Sequence, residues 1–130
     1  MRNDKQNVVV DLSFKFALDI IEFSELLEDN KKFIVARQVL KAGTSIGANI
    51  REAQNAESKA DFIHKIKIAA KEADEAEYWL LLCNNSKNYP NADNVLSKLN
   101  ELIKIISKII STSKNNLTNV LSLSNFQIVL

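Results

Sequence analysis

Four carboxylates crowd one short stretch of this 130-residue chain, Glu72, Asp74, Glu75 and Glu77. Such density is what a two-metal carboxylate site inside a helical bundle would draw on. Those sites also need Glu-x-x-His elements, because the imidazole completes each metal's coordination. Neither Glu72 nor Glu75 has a histidine three residues on, and His64 is the sole histidine of the chain. One histidine and one cysteine, Cys83, are too few for a zinc site built on those ligands. His64 neighbours Phe62 and Ile66 without joining their face and reads as a surface residue. With two glycines in all, the chain has no glycine-rich phosphate loop, and no nucleophile elbow is present. The residue types predict no reaction, no cofactor and no metal, so the expectation is a protein that is not an enzyme.

Two other constellations remain, a polar strip and a set of cations. Gln38, Ser45, Asn49 and Glu52 fall, at 100° per residue, within a band about 60° wide beside an apolar seam of Val39, Ile46 and Ile50. Residues of these types at the border of a core predict a hydrogen-bond network to a neighbouring helix or subunit, with Glu72, Glu75 and Tyr78 as correspondents. The cations are Arg37, Lys41 and Arg51 on one helix and Lys65, Lys67 and Lys71 on the next. From Lys31 to Lys71 the chain carries nine Lys/Arg against three Asp/Glu, which leaves eight against thirteen elsewhere, although the whole chain is only +1. One helix pair is therefore basic and the other acidic.

The elements that must position these residues are helices. The run Phe62, Ile66, Ala69, Ala73, Ala76, Leu80, Cys83 alternates steps of four and three, the mark of a helix laid against other helices. Three alanines on that seam let partner backbones come close. Cys83 reads as a small buried apolar residue, and a lone cysteine rules out a disulfide within the chain and fits a reducing compartment. Upstream, Leu12, Phe16, Ile20, Phe23 and Leu27 share one face of a first helix that Asp11 would cap, with Asp19, Glu22, Glu25 and Glu28 outward. Asn30 would cap a second helix carrying Val35, Val39, Ala42, Ile46, Ile50 and Ala53 inward. Gly43 and Gly47 weaken that helix by up to about 1 kcal/mol each, so a close helix crossing is expected there. Ser58 with Asp61 resembles a capping box for the third helix, which runs to about Ser86. A loop rich in Asn, ending at Pro90, leads to a fourth helix capped by Asn91 or Asp93.

In that fourth helix Val95, Leu99, Leu102, Ile106 and Ile109 form one stripe, and Leu96, Ile103 and Ile110 form a second. An arc this wide exceeds one groove: either this helix is the most buried of the four, or part of it faces another subunit. Beyond Ser113 the pattern changes, and from Leu117 the chain is uncharged, β-branched in places and without helical period, which predicts a bundle over residues 1–116 and an apolar tail over 117–130, docked or frayed. The fold class expected is all-α, an antiparallel up-down-up-down four-helix bundle. No run reaches the roughly 18 apolar residues of a membrane span and no signal segment opens the chain, so a cytoplasmic location and no membrane partner are expected.

The segment from Gln38 to Glu52, with its pattern Gln-x6-Ser-Ile-x2-Asn-Ile-x-Glu, followed by Phe62 and by Glu75 to Leu80, resembles the bacterial family of proteins encoded in intervening sequences of 23S ribosomal RNA genes. Ala53 stands where many members have glycine. The resemblance spans about Leu12 to Ser113 and implies a four-helix bundle without enzymatic activity, commonly assembled as a ring of five subunits. It also implies a distant relation to the nucleic-acid-binding accessory protein of diversity-generating retroelements. Two functions follow as expectations: binding of structured RNA or DNA through the basic faces of helices 2 and 3, or a protein-interaction scaffold whose partner is encoded elsewhere. In both, the chain's first partner is itself, as a homo-oligomer, most simply a pentamer.

Overall fold

The computed structural model describes the backbone of residues 7–125 and the side chains of residues 7–114. Four helices follow one another, α1 (Val8–Asp29), α2 (Phe33–Ala53), α3 (Lys59–Asn85) and α4 (Asp93–Asn125). Each packs on its neighbours in sequence and α1 closes on α4, which makes the antiparallel four-helix bundle that the spacing predicts. The pairs α1–α2 and α2–α3 are the most intimate and α1–α4 is the sparsest.

The seam of α3 lies where its period puts it. Ile66, Ala69, Ala73, Ala76, Leu80 and Cys83 are buried, and Phe62 packs half-buried against them with Ile63 inward beside it. Opposite stand Phe16, Ile20, Phe23 and Leu27 of α1, Val39, Ala42, Ile46 and Ile50 of α2, and Leu99, Leu102 and Ile106 of α4. Each large aliphatic side chain so buried contributes about 1.5–3 kcal/mol of transfer free energy. Both glycines of α2 meet α1: a Cβ on Gly43 would collide with the Ile20 side chain, and one on Gly47 would lie 3.3 Å from the Ser13 carbonyl oxygen. The predicted close crossing is therefore the contact of α2 with α1.

Three boundaries differ from expectation. Helix α1 begins before Asp11, at Val8, because Asn7 supplies the cap by accepting from the Val10 N–H at 3.4 Å. Asn7 also donates to Gln54 Oε1, which ties the start of α1 to the end of α2. Asn30 belongs to the end of α1 rather than the start of α2. Lys31 N–H donates to the Glu28 carbonyl and Lys32 N–H to that of Leu27, each at 2.8 Å, with Lys31 at φ 65°, and this closes α1 in the manner usually assigned to glycine. Helix α2 then starts behind Lys32 without a side-chain cap.

The third difference is the length of α4, which continues past the expected boundary at residue 116 to Asn125. Docking or fraying of the 117–130 tail lies outside the described residues. The second apolar stripe of α4 is largely absorbed within the chain, Leu96 being buried and Ile103 and Ile110 half-buried against the core. At the start of α3, Ser58 Oγ accepts from the Asp61 N–H at 3.0 Å while Asp61 accepts from the N–H of Glu57, one residue off the expected reciprocal bond. Asn84 holds the α3–α4 loop, donating to Asp93 Oδ1 at 2.7 Å and accepting from the Ala92 N–H at 2.6 Å. Lys32 lies 4.7 Å from the centre of the Tyr89 ring and links the two loops at that end of the bundle.

Candidate nucleic-acid interface

The basic segment forms α2 and the first half of α3, the most closely packed helix pair. Arg37, Lys41 and Arg51 are exposed along α2, and Lys67 and Lys71, one turn apart, are exposed on α3. They stand outward for a simple reason: the inward arc of α2 is filled by Val39, Ala42, Ile46 and Ile50, and that of α3 by its alanine seam. Lys65 differs. It leans into the α2–α3 groove and pairs with Glu52 at 3.4 Å, Lys65 being the less exposed partner. Its charge is thus partly engaged within the chain, and among the described residues the exposed cations of α2 and α3 are Arg37, Lys41, Arg51, Lys59, Lys67 and Lys71.

The polar strip is placed as its period predicts and bonded otherwise. Gln38, Ser45 and Asn49 are half-buried and Glu52 is exposed. Ser45 Oγ donates to the Lys41 carbonyl at 2.6 Å and Asn49 Nδ2 to the Ser45 carbonyl at 2.8 Å, so two of the four residues bond the backbone of their own helix. Among the described residues the strip's bond to α3 is the one between Lys65 and Glu52, and no hydrogen bond joins it to Glu72, Glu75 or Tyr78. Tyr78 is instead exposed and packs edge-on to the half-buried Trp79, ring centres 5.7 Å apart.

No three of the described His, Cys, Asp and Glu side chains are grouped to hold a metal ion. Cys83 is buried, and that burial pushes its thiol from 9.0 up to about 11. At neutral pH it is protonated and a poor nucleophile. His64 is exposed. No described helix is long and apolar enough to cross a membrane.

One surface escaped the reading of the sequence. Helix α1 exposes Phe14, Leu18 and Ile21 at 59, 50 and 40 %. Their spacing of four and three was itself the signal, set beside the acidic residues that define the outer face of the same helix. Phe14 borders a shallow groove between α1 and α2, floored by Ala17, Thr44, Gly47 and Ala48 and ending at Arg51. Leu18 borders another between α1 and α4, where Lys98 bridges to Asp19 at 2.9 Å.

No curated protein matches this chain. Among solved structures, a protein of unknown function from the S23 ribosomal protein family of Bacteroides thetaiotaomicron is 42 % identical, with a TM-score of 0.75 over 79 % of this chain and 98 % of that one. The family model described as 23S rRNA-intervening sequence protein matches residues 5–111. That span takes in all of α1, α2 and α3 and the bundle part of α4, together with the Gln38-to-Glu52 pattern, and the chain belongs to the 23S rRNA-intervening sequence protein family.

Proposed function

We propose that this protein is a non-enzymatic homo-oligomer that binds structured RNA or duplex DNA through the outer faces of α2 and α3. The observation that supports the reading is the concentration of cations on α2 and the first half of α3, the second half of α3 being acidic with Glu72, Asp74, Glu75 and Glu77. Residues 31–71 carry nine cations against three anions, and six of those cations, Arg37, Lys41, Arg51, Lys59, Lys67 and Lys71, stand exposed on adjacent helices. Phosphate is the partner such a surface suits, since lysine and arginine on a rigid helical face release condensed counterions on contact and need no base readout. Exposed apolar side chains on α1 supply surface for self-association, and repetition of the basic face in a ring of five would multiply a modest patch. Cytoplasmic residence accords with a buried reduced thiol.

Replacing Arg37, Lys41, Lys67 and Lys71 together by Gln tests the reading. All four are exposed, and Gln keeps helix propensity. Binding to a structured RNA at low salt should fall by at least two orders of magnitude with helicity unchanged. Equal retention of parent and variant would exclude the basic face and favour a protein-interaction scaffold.

A further inference from the structure

Helix α4 is longer than the bundle it belongs to. Val8 and Lys59, the first residues of α1 and α3, line the same recess as Thr112 and Ser113 of α4, so Ser113 stands level with that end of the bundle. The helix nevertheless continues to Asn125, about 18 Å further at 1.5 Å per residue. The family match ends at residue 111, and the Bacteroides structure is covered almost whole by 79 % of this chain, so the overhang is an addition to the common unit. Its sequence is unlike a solvated helix. Residues 115–130 include no charged side chain, and Leu117, Val120 and Leu121 keep the three- and four-residue steps of the stripe before them.

We propose that this end of α4 is an arm that docks in the α1–α2 groove of a second copy of the chain, a proposal that rests on the homo-oligomer reading above. Reach excludes its own groove. Residues 114–125 continue α4 past the end of the bundle as one unbroken helix, and such a helix cannot turn back along the bundle it has just left. Charge selects the groove. The α1–α4 groove is lined by Lys15, Asp19, Glu22, Lys98 and Glu101, whose hydration an uncharged helix would remove without replacing it. The α1–α2 groove has one charge, Arg51, at its end. Its floor of Ala17, Gly47 and Ala48 admits a helix backbone closely, and the exposed Phe14 ring at its edge gains cover. Such a contact joins unlike surfaces, so it can be exchanged between two copies or passed around a ring.

Disulfide trapping between separately made chains tests this. Ala48 is exposed on the groove floor, so Ala48→Cys does not disturb the core, and Cys83 stays buried and protonated. A chain with Ala48→Cys is mixed with a chain carrying Leu117→Cys or Leu121→Cys, one turn apart to cover the register, and oxidised mildly. The expected result is a covalent pair of unlike chains at one of the two arm positions, formed at least tenfold faster than with Asn100→Cys, an exposed α4 position within the bundle. No excess over that control while sedimentation still shows a multimer would overturn the arm and leave the assembly reading intact. A monomer at tens of micromolar would overturn both. A chain carrying Ala48→Cys and Leu121→Cys that closes on itself as a monomer would also refute docking in a second copy.

Discussion

Ile20 of α1 lies so close to Gly43 of α2 that a Cβ on the glycine would sit 2.6 Å from Ile20 Cγ1 and 2.7 Å from Cγ2. Both atoms hang directly on a β-branched carbon with one favoured helical rotamer, so the side chain cannot swing aside. Gly43→Ala should therefore destabilise the fold by about 1–2 kcal/mol, overpacking outweighing the helix propensity gained. Adding Ile20→Ala should recover part of the loss in a double-mutant cycle read by chemical denaturation. At Gly47 the nearest contact is 3.3 Å, and Gly47→Ala should cost less than Gly43→Ala.

Lys31 holds φ at 65°, a left-handed conformation that closes α1. Glycine adopts it without the Cβ penalty. Lys31→Gly should stabilise the protein by about 0.5–1 kcal/mol in urea unfolding. A loss of stability would mean that the Lys31 side chain contributes more than its backbone costs.

Burial raises the Cys83 thiol to about 11, above its ordinary 9.0. Raised in the folded state, this group contributes stability that is fully present below pH 9 and is lost as pH climbs toward 11. The parent should thus lose more stability between pH 9 and 11 than Cys83→Ala does, since the variant has no thiol to titrate. Native protein at pH 8 should also leave a thiol reagent unreacted until it is unfolded.

Asn49 is half-buried and bonded to the Ser45 carbonyl of its own helix. Asn49→Leu strands no partner on another helix, so the stability of the single chain should change by less than about 0.5 kcal/mol. A larger loss confined to conditions where the protein is assembled would place a neighbouring subunit against the strip.

Period carried most of this fold into view. The seam from Ile66 to Cys83 and the crossing at Gly43 and Gly47 follow from residue type and spacing alone, because a helix has only one face to bury. Partners of polar residues did not follow: Ser45 and Asn49 sit where a network was expected and bond backward along α2 instead. The end of α1 was hidden for a related reason, since nothing in the type of Lys31 announces a positive φ. At α4 the uncharged segment from Leu117 reads as lacking a helical period, yet the helix runs to Asn125, Leu117, Val120 and Leu121 keeping steps of three and four that polar neighbours obscure. Phe14, Leu18 and Ile21 were legible as a second stripe on α1, but acidic residues on the same side made that face look solvated.

The salt dependence of nucleic-acid binding tests the central claim most directly. Each phosphate neutralised on duplex DNA adds about 0.9 to the slope of log K against log salt, so four contacts give a slope near −3.6 and a loss of roughly 150-fold between about 50 and 200 mM salt. The account predicts a slope at least that steep for the parent, little dependence on base sequence, and a clearly shallower slope once Arg37, Lys41, Lys67 and Lys71 are replaced by Gln. A parent that binds neither structured RNA nor duplex DNA at low salt, or one whose affinity is indifferent to salt, would contradict it.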